Sequence, residues 1–230
     1  MISANLIWII SLVGFVGVFL VLLVLLLLNS IVAKKEFNPL RNFPYEFLKL
    51  NPNVASLFKP LMFVLTGFAF SPIFFITPLM GEFGDLGFLT IFVTCIFGLA
   101  SVSNCLLFFF DARYTKTHIY LATISMCLTF LANALATLLS FLVFKHYWGF
   151  GETRVPALVL AILSTLASIT ILFIIVNPKL SSWAKLDYTT NENGERVYSR
   201  GKVFVLALSE WITILASIIG EILFFLSLIK

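Results

Sequence analysis

Two carboxylates, Glu210 and Glu221, stand inside an apolar run, residues 203–229, that contains no Lys or Arg. At 1.5 Å per residue each lies roughly 12–14 Å from the nearer basic flank, Lys202 or Lys230. They are 11 positions apart in the sequence, about 20° around a helix, and Thr213 and Ser217 fall between them on the same side. A carboxylate in hydrocarbon costs on the order of 2–4 kcal/mol or more, so this stripe must face other helices and find partners there. Protonation is one way to lower that cost. Such a stripe suits a proton, cation or lipid-headgroup site, and it equally suits hydrogen-bonded glue between helices. Depth along the chain nominates partners: Asn104 and Ser125 for Glu210, and Asn133, Thr90 or Thr94 for Glu221.

A second polar group, Asp111, Arg113, Lys116 and His118, sits between two other apolar runs. Arg113 can neutralise Asp111, and an ordinary histidine titrates near neutrality. A tight polar turn explains the group without any activity, and with one His and one carboxylate it is a poor metal site. His146 belongs to the opposite side of the membrane, so stacked bis-histidine haems are excluded. No HExxH, nucleophile elbow or P-loop is present. Cys95, Cys105 and Cys127 all lie within apolar runs with no CxxC among them, which indicates small core residues rather than thiol chemistry. No catalytic residue, metal or cofactor is expected, and a membrane enzyme is the least favoured class.

The elements that must position these residues are six apolar runs, residues 6–32, 60–80, 86–110, 119–144, 155–176 and 203–229. Each reaches the length of about 20 residues that a bilayer demands of a helix. Of the 230 residues, 60% are hydrophobic and 11% charged, far below the roughly 25% charged of a soluble domain. The chain reads as a single all-α domain, a polytopic six-helix membrane bundle over residues 1–230. The first run lacks the basic leader of a signal peptide and is too long for one, so it is expected to stay as a span.

Charge orients the bundle. Twelve of the 15 basic residues lie in alternate gaps: Lys34, Lys35, Arg41, Lys49 and Lys59; Arg113 and Lys116; Lys179, Lys185, Arg196, Arg200 and Lys202. The positive-inside rule then puts those three loops in the cytoplasm and both termini outside. The net charge of +4 follows from that rule and does not indicate nucleic acid; membrane lipids and other membrane subunits are the partners expected. In the first loop Phe37, Phe43, Tyr45, Phe47 and Leu50 alternate with charges, which predicts a short amphipathic piece in the membrane interface. In the third, Asn193-Gly194 between alternating residues predicts a small β-hairpin.

Small residues recur at helical spacing in the third, fourth and fifth spans (Gly98, Ser101 and Cys105; Ser125, Thr129 and Ala132; Ala161, Ser164 and Ser168). They predict a close-packed centre there, with the Leu-rich first span peripheral. Pro72 predicts a kink in the second.

Several short motifs resemble the six-helix DRAM/Sfk-type membrane family and its prokaryotic relatives. They are Phe37-Asn38-Pro39-Leu40-Arg41-Asn42-Phe43, residues 53–66 running into Gly67, His118 opening the fourth span, and Glu210-Trp211. The chain departs from that pattern at Pro44-Tyr45-Glu46, and its charge distribution is opposite to the family's N-terminus-inside orientation. The resemblance implies a non-enzymatic membrane protein. The residues alone favour an accessory, scaffolding or lipid-interacting role, with a small proton- or cation-coupled transporter using Glu210 and Glu221 as the alternative.

Overall fold

A computed structural model describes residues 4–32, 37–50, 52–71, 73, 85–110, 115–148, 155–177, 187–190, 196–199 and 203–228. Seven helices lie within them: α1 (Ala4–Val32), α2 (Pro44–Leu50), α3 (Pro52–Phe70), α4 (Asp85–Leu106), α5 (Thr115–Trp148), α6 (Val155–Ile175) and α7 (Val205–Leu228). Six of these, all but α2, are long and apolar enough to cross a membrane. The protein is a multi-pass integral membrane protein whose outer helical faces contact lipid.

The second span begins earlier than its apolar run. α3 starts at Pro52 and carries Pro60 within it, because a proline at the first helical position needs no N–H partner and Lys59 stays exposed at the helix surface. Pro72 and its expected kink lie outside the described residues. Two four-residue strands, β1 (Asp187–Thr190) and β2 (Arg196–Ser199), pair antiparallel with Asp187 opposite Ser199. The Asn193-Gly194 tip lies outside the described residues.

The sixth span shares the buried centre with the third, and the fifth lies outside it. α1, α3, α4, α5 and α6 pack in sequence around an arc, and α7 packs against α1, α2, α4, α5 and α6. The buried share of the apolar window is 61% in α7 and 56% in α4, against 22% in α6 and 17% in α1. α1 is peripheral, as its composition predicts. α6 presents a narrow buried seam of Ala161, Ser164, Ser168 and Ile171. α7 takes the centre because Ala207, Ser209, Thr213, Ala216, Ser217 and Gly220 keep its buried faces slim enough for close approach from several sides.

Glycines set three of these approaches. The Phe68 ring of α3 lies over Gly14 of α1, the Phe70 ring over Gly98 of α4, and the Asn133 amide of α5 over Gly220 of α7. A methyl group at Gly220 would collide with that amide, whereas Gly17 has open space around it. Gly220→Ala is therefore expected to cost about 1–3 kcal/mol through overpacking. Gly17→Ala should be neutral or stabilising by up to about 1 kcal/mol from helix propensity. Reversible unfolding of the two variants in bicelles checks both, and equal stabilities would contradict the packing described.

Candidate functional site

The loop after α1 is a folded cap whose aromatic side chains turn into the protein. Asn38 organises it: its side-chain Oδ1 accepts from Leu40 N at 2.9 Å, and its own N–H donates to Asn42 Oδ1 at 2.8 Å. Its carbonyl accepts from the amides of Arg41 and Asn42. Phe43 then begins α2, with Pro44 at the first helical position and Glu46 reaching back to the Phe43 N–H at 2.9 Å, half of a capping box. Glu46 also accepts from Asn42 Nδ2 at 3.1 Å.

This cap is pinned to α7. Trp211 Nε1 donates to Asn42 O at 2.8 Å, and Phe204 N to Leu40 O at 2.8 Å. Phe37, Phe43, Tyr45 and Phe47 are all buried within the protein, and only Leu50 is exposed. Interfacial and buried aromatics have the same composition in a sequence. The difference lies in receiving surfaces that only the fold supplies. Phe47 packs edge-on to Phe58, Phe58 meets Phe108, and both Phe37 and Phe108 meet the Trp211 ring.

Beneath the cap one residue from each of the two polar groups anticipated separately meets the other. His118 Nε2 lies 2.8 Å from Glu210 Oε1, with both side chains buried. His118 Nδ1 lies 3.0 Å from the carbonyl oxygen of Phe110. A carbonyl only accepts, so Nδ1 carries a proton, and a second proton must lie between Nε2 and Oε1 for that contact to be attractive. Whichever of those two atoms holds it, the pair is neutral overall, which keeps a net charge out of the bundle. Phe43 and Tyr45 meet the imidazole edge-on, with centroids 5.2 and 5.7 Å away. Matching depths would have revealed the pair: His118 is three residues into α5 and Glu210 five into α7, about 5 and 8 Å from ends that face the same cap.

Asn104 does not meet Glu210; its Oδ1 accepts from Ser125 Oγ, which ties α4 to α5. Glu221 is met by Ser101 Oγ of α4 at 3.3 Å rather than by Thr90 or Thr94, whose hydroxyls donate to carbonyls one turn back in their own helix. That back-bonding satisfies a threonine without any partner helix. Thr213 behaves in the same way, donating to Ser209 O at 2.8 Å. Asn133 donates to Thr129 O at 2.9 Å and to Ala216 O at 3.4 Å, so it bridges α5 to α7 beside Glu221 without bonding to it. Four buried oxygens on this seam accept or donate no hydrogen bond: Glu210 Oε2, Ser217 Oγ, Glu221 Oε1 and Asn133 Oδ1.

Asp111 and Arg113 lie outside the described residues, while Lys116 is exposed. No cluster of three metal-ligating side chains occurs among the described residues. Sequence reasoning singled out Glu210 and His118 but not Phe110, whose carbonyl fixes the imidazole, nor Ser101 as the partner of Glu221. Comparisons with protein-family models, with curated proteins and with solved structures return no match, so no family is assigned and the DRAM/Sfk-type resemblance rests on its short motifs alone.

Proposed function

We propose that this is a non-catalytic, lipid-interacting accessory subunit of a membrane assembly. One observation carries the reading: the groups best suited to chemistry are engaged within the bundle, His118 with Glu210 and Phe110, Glu221 with Ser101, and Asn104 with Ser125. Engaged in this way they hold helices together and offer nothing to a substrate. In this reading residues 1–230 form one domain. The cap and the paired strands lie in the cytoplasm, both termini lie outside, and the partners are membrane lipids and other membrane subunits, not nucleic acid.

A second reading, a small proton- or cation-coupled transporter, is favoured by the four unpartnered oxygens that run along α7 from Glu210 to Glu221. Buried polar atoms without partners are uncommon and ask for an explanation. Proteoliposomes under a pH or cation gradient separate the two readings. The accessory role predicts flux no greater than in empty vesicles, unchanged by Glu210→Gln or Glu221→Gln. Gradient-driven flux that either substitution abolishes would overturn it in favour of transport.

A further inference from the structure

α3 packs against α1 and α4, and between it and α7 the bundle leaves a cleft of about 180 Å³. Leu22 of α1, Phe58 and Met62 of α3, Trp211 and Ile218 of α7, and Pro39 of the cap line it. Every lining side chain is apolar except for the Trp211 N–H, and that group already donates to Asn42 O. From Trp211 to Ile218 the cleft runs seven residues along α7, about 10 Å inward from the cap.

We infer that this cleft holds one acyl chain of a phospholipid from the leaflet on the cap side. The inference rests on the lipid-interacting reading above. Three arguments select this occupant. Water needs two to four polar partners in a cavity, and this lining provides none. Left empty, the walls lose their dispersion contacts outright. A cavity of about 150 Å³ accepts a benzene molecule, so this one takes a chain segment of roughly six carbons, not a helix about 10–12 Å across. Two exposed cations lie near the lining in the chain, Arg41 two residues after Pro39 and Lys59, whose Nζ sits 5.5 Å from the centroid of the Phe109 ring. They can face a lipid phosphate while the chain runs inward.

The test uses Trp211 as the reporter. The full-length protein carrying Trp8→Phe, Trp148→Phe and Trp183→Phe retains it as the one indole, and is reconstituted in phosphatidylcholine with brominated acyl chains. A bromine-bearing chain in the cleft contacts the ring, so Trp211 should lose most of its emission relative to unbrominated lipid. Adding Leu22→Phe and Ile218→Phe fills the cleft and should restore it, with the melting temperature confirming that the variant is folded. A protein retaining only Trp8, which is buried against Phe224 and Phe225 and does not line the cleft, should be quenched far less.

Trp211 emission that brominated lipid leaves unchanged, as when a second protein covers the cleft, overturns the inference. Quenching that persists in the filled variant overturns it too, since the bromine then reaches the ring from the outer surface. Either outcome leaves the accessory reading standing, because that reading fails only on the flux measurement.

Discussion

His118→Phe is expected to destabilise the bundle by about 3–5 kcal/mol, the cost of removing one partner from a buried polar pair. Phenylalanine keeps the edge-on contacts with Phe43 and Tyr45, so the loss isolates the polar interaction. It leaves Glu210 with neither oxygen hydrogen-bonded and the Phe110 carbonyl without its imidazole donor. Glu210→Gln should cost about 1 kcal/mol or less, since a carboxamide can still donate to Nε2 while Nδ1 donates to Phe110. The double replacement His118→Phe with Glu210→Met removes both polar partners and should recover most of the loss, because well-packed apolar residues often replace buried pairs at no cost. Equilibrium unfolding in bicelles of these proteins, together with the single Glu210→Met variant that closes the cycle, gives the coupling energy. A His118→Phe variant as stable as the parent would mean that the pair does not hold α5 to α7.

The membrane class and the six spans were legible because the bilayer imposes a length and a composition that no other element of this chain satisfies. The Glu210–Glu221 stripe was legible for a similar reason: a charge in hydrocarbon must turn inward, and helical geometry says which neighbours share its face. Choosing the partner was harder. Residue counting gives depth but not crossing angle, and Asn104 and His118 both fall within a few residues of the required level. The fold decides between them by bringing the start of α5 under the cap, where the Phe110 carbonyl and two aromatic edges orient the imidazole. The centrality of α7 was missed because small residues were weighed by number, whereas α7 is central through having them on several faces at once. The burial of the cap's aromatics was not legible because Phe37 and Phe47 acquire their receiving surfaces, Trp211 and Phe58, from distant parts of the chain.

Trp211 is where the cap, the cleft and the polar pair converge, and its replacement should show how far they depend on one another. Its ring meets Phe37 and Phe108, its N–H holds Asn42 O, and the residue before it is Glu210. Trp211→Ala removes all of these contacts and is expected to cost about 3–5 kcal/mol. Trp211→Phe keeps ring packing but loses the hydrogen bond, about 0.5–1.5 kcal/mol. The loss should fall on the cap more than on the spans, because the Trp211 N–H is the hydrogen bond by which α7 itself holds residues 37–50, beside the Phe204–Leu40 bond and the packing of Phe43 and Tyr45 on Leu206 and Ala207. Amide exchange reads this out residue by residue. Leu40, Arg41 and Asn42, whose amides are hydrogen-bonded within the cap, should exchange roughly tenfold faster for each 1.4 kcal/mol by which opening becomes easier. Mid-span amides of α5 should be unaffected. Uniform acceleration through α5 and α7 would instead mean that Trp211 supports the bundle as a whole, and unchanged cap amides would mean that Asn38 and the α2 capping contacts hold the cap in place without it.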